Sequence, residues 1–279
     1  MAEVRGFLAT NFMKKVITTL INPNFKDYAL VMIQSFLRYN EDYDAVVFSF
    51  GEVQYRDKRI KVINLNKDIN SNRSGVNIVE TIEMNRAYTH LKLLENYDLV
   101  VYSDSDILFF DKIKDDYPNM TFTPHVYKYQ NTTELARYMA GGFINIGFYV
   151  LPNNENTKKW LSIWHELSLK RLQGVNMNAN GQRYWGQSIY QFLPWCDVKY
   201  ILESDAGLNV AYWNLHERTI SKKEEKYFVN GIVPLICYHF SGYIGDCFIS
   251  RYCRKPVTSC LRDIYINYSS EIRRARCQG

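Results

Sequence analysis

The fold class is decided by residues 97–110, which read Tyr97-Asp98-Leu99-Val100-Val101-Tyr102-Ser103-Asp104-Ser105-Asp106-Ile107-Leu108-Phe109-Phe110. The apolar run that begins at Leu99 is typical of a strand covered on both faces of a sheet. Two acids, Asp104 and Asp106, follow the end of this strand. Because ligands of open parallel sheets bind beyond the carboxyl ends of the strands, we expect these acids at a ligand site.

The flanking segments alternate between strand and helix patterns. Short apolar or β-branched runs predict further strands at residues 16–21, 44–50, 60–65 and 141–152. Apolar residues at helical spacing predict helices around residues 29–37, 83–95 and 160–167. Glycines within the run at 141–152 mark places where the backbone passes close to another group. Strands that alternate with helices predict an α/β fold with a mostly parallel central sheet.

The composition is that of an ordinary globular protein. Of the 279 residues, 47% are hydrophobic and 23% are charged, close to the average for soluble domains. No run approaches the roughly 18 consecutive apolar residues of a membrane span, and the first residues lack the layout of a secretory signal. We therefore expect a cytoplasmic protein. The six cysteines include no Cys-x-x-Cys pair, which gives little support to a structural zinc site.

The net charge is concentrated in residues 250–279. This segment carries seven basic residues and two acids, which equals the net charge of +5 of the entire chain. We expect a main domain at residues 1–245 and a basic C-terminal extension at residues 246–279, packed on or tethered to it. The extension suits an anionic membrane surface, which would place the protein peripherally at the inner membrane face, or an anionic glycan or nucleic acid. A solvated final helix with a basic face is the alternative.

The two acids at the strand end call for a cation. Burying two unpaired carboxylates is prohibitively costly, so Asp104 and Asp106 need positive charge nearby. Oxygen ligands suit hard divalent ions, and a site with few protein ligands suits Mg²⁺ or Mn²⁺ bound jointly with phosphate oxygens. The alternative is that these acids only cap a helix or close a turn.

Around this Asp-x-Asp motif the sequence resembles the glycosyltransferases of the GT-A fold, whose Asp-x-Asp binds a metal and the diphosphate of a nucleotide sugar. The likeness covers residues 14–245 and is closest to the retaining, glycogenin-like transferases and to bacterial surface-glycan transferases. These pair the Asp-x-Asp with a late His-x-x-Gly, which here is His239-Phe240-Ser241-Gly242. The resemblance implies a single GT-A (Rossmann-like) domain that binds a UDP-sugar and Mn²⁺ or Mg²⁺. It also implies that His239 is the third metal ligand and that Ser241 and Gly242 lie against the diphosphate.

Further site residues follow from the same resemblance. Asn145, in a strand similar to the family's Phe-Asn-Ser-Gly strand, is expected to contact the sugar or the acceptor. Gln187 stands where the family has Asp-Gln, although Gly186 replaces the usual acid. The family's late lysine-proline element is missing, so Arg86 and Arg218 are the candidates for stabilising the leaving diphosphate. We count Gln187, Asn145 and Arg218 as catalytic, and the donor-binding set is Thr18, Arg86, Asp104, Ser105, Asp106, Ser241 and Gly242.

Several functions remain open at this stage. The favoured activity is transfer of a hexose or pentose, with retention, to a glycan or lipid-linked glycan acceptor. A phage-type DNA glycosyltransferase that modifies hydroxymethylated bases is the alternative, since the basic extension would also hold phosphates. A haloacid-dehalogenase-type phosphatase places its Asp-x-Asp near the N-terminus, whereas Asp104 and Asp106 are central. A non-catalytic nucleotide-sugar-binding protein would not need Asp104, Asp106 and His239 intact.

Overall fold

The computed structural model describes residues 13–65, 78–172, 186–241 and 258–278. The helices are α1 (Lys26–Tyr39), α2 (Ile78–Leu93), α3 (Thr132–Gly141), α4 (Glu155–Leu172), α5 (Gly186–Ile189) and α6 (Ser259–Gln278). Seven strands form the central sheet: β1 (Lys15–Ile21), β2 (Tyr43–Ser49), β3 (Ile60–Asn64), β4 (Leu99–Ser103), β6 (Met120–Pro124), β7 (Ile144–Pro152) and β8 (Tyr200–Leu202). Six shorter strands complete the described part of the chain: β5 (Ile107–Phe109), β9 (Val210–Ala211), β10 (Ile220–Lys223), β11 (Lys226–Val229), β12 (Val233–Pro234) and β13 (Cys237–His239).

The central sheet is mostly parallel, as predicted. Its strand order is β3-β2-β1-β4-β7-β6-β8. The neighbours from β3 to β4 pair in parallel, and so do β6 and β8, whereas β7 runs antiparallel to both β4 and β6. The sequence predicted a strand at residues 141–152 but not its direction. Because β7 is reversed, its first residues lie beside the carboxyl end of β4, where Ser103 pairs with Phe148.

A small second sheet adjoins the carboxyl end of β4. Its order is β5-β13-β9, with β13 antiparallel to β5 and parallel to β9. In this sheet His239 pairs with Ile107 on one side and with Ala211 on the other. The register therefore places the late histidine next to the residue that follows Asp106.

Hydrophobic clusters cover both faces of the central sheet. One cluster contains Phe36 and other apolar residues of α1, together with the buried side of α6. The other contains Trp160 and Trp164 of α4, which are fully buried. Burying a side chain of this size stabilises the folded state by on the order of 2–3 kcal/mol. The two clusters shield both faces of the sheet from solvent. This sandwich explains why the strands that the sequence identified are nearly all apolar.

The C-terminal segment contains an ordered helix. The sequence pattern past residue 243 is irregular, yet residues 259–278 form α6. Its apolar residues Leu261, Ile264, Tyr265, Tyr268 and Ile272 are buried, and they belong to the same cluster as α1. The described part of the basic extension therefore shares the core of the domain, while residues 246–257 lie outside the described residues. Among the described segments, no helix combines the length and the apolar character needed to cross a bilayer.

Candidate metal centre

Asp104 and Asp106 occupy the short turn between β4 and β5. The backbone N–H of Asp104 donates to the carbonyl oxygen of Gly147 at 2.7 Å, which ties the turn to β7. The carbonyl oxygen of Asp106 accepts from the N–H of Phe240 at 2.8 Å, which ties it to the end of β13. The side chains remain 27% and 29% exposed, so both carboxylates are open to a ligand.

His239 completes a group of three potential metal ligands. One ligand atom from each of Asp104, Asp106 and His239 lies within 4.8 Å of the others. The His239 Nε2 atom is 3.2 Å from Asp106 Oδ1 and 4.0 Å from Asp104 Oδ2. Two carboxylates and one imidazole form a donor set that fits a divalent ion such as Mn²⁺. The structure thus brings together the three residues that the sequence singled out, and their role as ligands stays a prediction.

The electrostatics of this group favour a cation among the three side chains. Burial disfavours the charge on His239, but the nearby Asp106 carboxylate and its hydrogen bond raise the pKa of the imidazole above its ordinary value. Burial opposes the Asp106 charge in the same way, and the His239 imidazolium lowers the pKa of that carboxyl below its ordinary value. His239 and Asp106 therefore favour each other's charged forms.

Arg86 and Tyr102 hold one oxygen of Asp104. The Arg86 guanidinium donates to Asp104 Oδ1 at 2.9 Å, and the Tyr102 hydroxyl donates to the same atom at 2.7 Å. Arg86 is buried, lies over the Tyr102 ring at 4.5 Å and also donates to the carbonyl oxygen of Ile146. These bonds leave Asp104 Oδ2 as the oxygen nearer to His239. Arg86 thus forms an ion pair with Asp104, and a contact between Arg86 and the donor stays a prediction.

Gly147 makes room for His239. A Cβ atom added at Gly147 would lie 2.4 Å from His239 Cε1 and 2.8 Å from His239 Nδ1, distances that no side chain tolerates. The expectation that a glycine of this strand marks a close approach is therefore confirmed. Asn145, two residues earlier, accepts the Gly147 N–H with its Oδ1 at 2.9 Å.

Gln187 and Asn145 meet at His125, a residue that the sequence pattern did not predict as part of the site. Asn145 Nδ2 lies 3.1 Å from His125 Nε2, and Gln187 Nε2 lies 3.5 Å from the same atom. Burial lowers the pKa of His125 to about 4, so its ring is neutral at pH 7. His125 directly follows β6, and a position after a strand end was the one available signal for it. Trp213 packs its ring edge-on against both His125 and His239.

Arg218 lies in a buried position with a partner of its own. Its Nη1 donates to the carbonyl oxygen of Leu208 at 2.6 Å, and its guanidinium lies over the Tyr127 ring at 5.0 Å. Burial lowers the pKa of Arg218, although the charge of Glu217 and the Tyr127 hydroxyl oppose this shift. Arg218 therefore supports the segment that precedes β10, and a role toward the leaving diphosphate stays a prediction.

The other residues predicted to bind the sugar donor differ in where they lie relative to the metal centre. Ser105 stands between the two acids of the turn, and Ser241 follows Phe240 at the end of β13. Thr18 is fully buried in the middle of β1, and its hydroxyl has no partner among the described residues. Nothing in the structure supports a donor contact by Thr18. Gly242 lies outside the described residues.

Comparison with known proteins establishes the fold. No protein-family model matches the sequence. A stretch of 108 residues is 30% identical to the uncharacterized protein YfnF of Bacillus subtilis (strain 168). It spans 37% of this chain and only 33% of that protein.

Solved structures match nearly the whole chain. The galactosyltransferase LgtC, in complex with donor and acceptor sugar analogs, has a TM-score of 0.53 at 16% identity, covering 93% of this chain and 95% of LgtC. An active-site mutant of LgtC gives the same TM-score at 15% identity. The glycosyltransferase GlyE of Streptococcus pneumoniae TIGR4 also has a TM-score of 0.53, at 14% identity, covering 95% of this chain and 64% of GlyE. The predicted fold class, a Rossmann-like α/β domain with a mostly parallel sheet, is confirmed.

Proposed function

We propose that this protein is a metal-dependent glycosyltransferase that transfers a sugar from a nucleotide-diphosphate donor, a UDP-sugar, to a hydroxyl of a glycan or lipid-linked glycan. The observation that carries the proposal is the group formed by Asp104, Asp106 and His239. It lies at the carboxyl end of β4, where an α/β sheet binds its ligands. The fold is shared with the galactosyltransferase LgtC, whose structure holds donor and acceptor sugar analogs, which supports the same class of reaction here.

The three ligands suit Mn²⁺ better than Mg²⁺. Mg²⁺ prefers oxygen ligands throughout, whereas the third side chain here offers an imidazole nitrogen. When bound, the ion supplies positive charge opposite the negative charge that grows on the departing diphosphate. About a quarter of each side chain of Asp104 and Asp106 is exposed, so both carboxylates can reach an ion bound beside them. Asp104, Asp106 and His239 would hold the ion, and phosphate oxygens of the donor would bind it together with them.

The residues around the ligands supply the other parts of the reaction. Arg86, held on Asp104, adds a buried positive charge beside the diphosphate position. Asn145 and Gln187, which meet at His125, offer amide groups to the sugar or the acceptor. No acid of the sequence is a convincing base for inversion, and the sequence resemblance points to retaining enzymes. We therefore propose transfer with retention.

Asp106→Asn tests the metal assignment. We expect donor hydrolysis and transfer to fall on the order of 100-fold or more, because one charged ligand and several kcal/mol of charge stabilisation are lost. The fold should persist without metal, since an asparagine can still contact His239 at the position 3.2 Å away. The measurements are turnover of candidate UDP-sugars in chelator-treated buffer repleted with Mn²⁺, detected by mass spectrometry, and the melting temperature of the metal-free protein.

Asp115→Asn is the matched control. Asp115 is an exposed acid paired with Lys112 at 2.7 Å, outside the metal centre, and its loss should leave turnover unchanged. Near-normal turnover of Asp106→Asn with added Mn²⁺ would show that the metal assignment is wrong.

A further inference from the structure

We propose that Asn209 is a positioning residue that fixes the ring of His239 for metal binding. The inference rests on the proposed function, because it concerns the metal ligand His239. The His239 Nδ1 atom lies 3.1 Å from Asn209 Oδ1. An amide oxygen only accepts, so Nδ1 carries the proton of this bond. In the neutral ring the lone pair then lies on Nε2, the atom that faces Asp104 and Asp106.

The orientation of the Asn209 amide is determined by its neighbours. The backbone N–H of Gly147 can only donate, and it donates to Asn145 Oδ1 at 2.9 Å. This fixes Asn145 Oδ1 as an acceptor, so the Asn209 atom 2.9 Å from it is the donor Nδ2. Asn209 Nδ2 also donates to Thr123 Oγ1 at 2.7 Å. Its oxygen must therefore point at His239.

The Asn145 amide is fixed from a second direction as well. Its Nδ2 lies 3.1 Å from His125 Nε2. His125 Nδ1 lies 3.2 Å from the carbonyl oxygen of Phe143, which can only accept, so Nδ1 carries the proton and Nε2 is an acceptor in the neutral ring. Asn145 Nδ2 is therefore the donor of that bond. Two backbone groups, the Gly147 N–H and the Phe143 carbonyl, thus independently fix the same orientation of the Asn145 amide. Through Asn145 they also fix the Asn209 amide, whose oxygen bonds to His239.

The backbone at Asn209 is held in an unusual conformation. Its φ angle is 52°, in the left-handed region, and the residue is 1% exposed. Asparagine tolerates this region better than most residues, yet such a conformation persists only where surrounding contacts impose it. The N–H of Asn209 bonds to Cys237 Sγ at 3.2 Å, and the next residue, Val210, pairs with Tyr238. The same strand pairing that carries His239 therefore places the amide against its ring.

The other sides of the ring are enclosed too. Gly147 leaves the space that His239 fills, and the Trp213 ring packs edge-on at 5.1 Å between centroids. These apolar contacts restrict where the ring lies, but they do not select which nitrogen bears the proton. Among the described residues, the Asn209 oxygen is the group that bonds to Nδ1. Outer partners of this kind typically change metal affinity 10- to 100-fold when they are removed.

The test compares Mn²⁺ binding by three variants of the full chain with the wild type, using Mn²⁺ alone and electron paramagnetic resonance of the free ion. Asn209→Gly removes the amide at a φ angle that glycine adopts without strain. Its Kd for Mn²⁺ should rise about 10- to 100-fold. Asn209→Asp keeps an acceptor for His239 Nδ1 and an acceptor to which the Thr123 hydroxyl can turn its proton, and it loses the bond to Asn145 Oδ1. Its Kd should stay within about fivefold of the wild-type value.

Asn40→Ala is the control for lost stability. Asn40 is equally buried and bonds to the Phe36 carbonyl oxygen and the Ile113 N–H, away from the metal centre. The Asn40→Ala substitution should lower the melting temperature without changing the Mn²⁺ affinity. The inference is overturned if Asn209→Gly binds Mn²⁺ as tightly as the wild type, or if Asn209→Asp is as weak as Asn209→Gly. A wild type that binds no Mn²⁺ would instead refute the proposed function, and this inference with it.

Discussion

His90 and His239 are both buried imidazoles, but their surroundings shift their pKa values in opposite directions. His90 lies among the rings of Tyr102, Tyr149 and Trp164, and burial together with the Arg86 charge lowers its pKa to about 3. His239 is also desolvated, yet the adjacent carboxylates raise its pKa. The difference shows that residue type alone does not decide a role. The neighbours make one histidine a neutral core group and the other a candidate ligand.

His90 should make the protein sensitive to mild acid. Its folded pKa lies below the unfolded value, so as pH falls below about 6.5 the unfolded chain binds the proton first. The free energy of unfolding should therefore fall with a contribution of up to about 1.4 kcal/mol per pH unit from this group. In His90→Gln, which keeps a partner for the Tyr149 hydroxyl, that contribution is absent. Urea unfolding between pH 7 and about 4.5 should show the stability difference from the wild type shrinking as pH falls.

His216→Gln is the comparison for that measurement. His216 is half-buried and bonds to the Lys128 carbonyl oxygen, so its removal reports the loss of an imidazole outside the core. Parallel stability curves for the wild type and His90→Gln would contradict a buried, neutral His90.

At the scale of elements, α6 supports the strand that carries His239. Phe240, the residue after His239, stacks on Tyr268 with ring centroids 3.8 Å apart and planes at 9°. Tyr265 packs edge-on against both Phe240 and Tyr238. The helix also packs on α1 within the same cluster. The segment predicted as a basic C-terminal extension thus also contributes apolar residues to the core next to His239.

Tyr268→Ala should be strongly destabilising. Removing a fully buried aromatic ring leaves a cavity, and such changes cost about 3–5 kcal/mol. Ile266→Ala on the same helix is the matched control, because Ile266 is 41% exposed and should cost less than about 1 kcal/mol. Unfolding in urea or by heat measures both. Equal, small losses for the two variants would show that α6 only rests on the surface.

At the scale of the whole molecule, the net charge is distributed unevenly along the chain. All of the net charge of +5 is accounted for by residues 250–279. On α6 the basic side chains of Arg262, Arg273, Arg274 and Arg276 are exposed, while the apolar face is buried. Arg276 approaches Asp27 of α1 at 3.7 Å, and Arg274 approaches Glu271 at 3.2 Å. The helix therefore presents a basic surface.

Changing Arg273, Arg274 and Arg276 together to glutamine should spare donor hydrolysis and weaken acceptor binding. The loss should shrink as salt rises, since these exposed charges are screened. Anionic vesicles and duplex DNA are offered separately to the wild type and the variant. Binding to vesicles alone supports a lipid-linked acceptor. Salt-dependent DNA binding with transfer to hydroxymethylated DNA would refute the glycan acceptor, and normal transfer by the triple variant would refute a role for the basic face.

The sequence by itself determined the features that depend on local pattern. An apolar run ending in Asp104 and Asp106 identifies a buried strand with a polar carboxyl end, because burial on both faces requires continuous apolar side chains. Helical spacing likewise predicted α1 and α4, which bury Ile33, Phe36, Trp160 and Trp164. The resemblance then named His239, which the structure places 3.2 Å from Asp106.

Only the tertiary structure decided which distant residues meet. The reversed direction of β7, the pairing of His239 with Ile107 and the burial of α6 all depend on contacts between segments far apart in the chain. No local pattern encodes such contacts, because the same apolar residues can pack in many registers. Asn209 was one polar residue in an irregular segment. It became a specific partner of His239 only when strand pairing and fixed hydrogen-bond directions brought its amide oxygen to the ring.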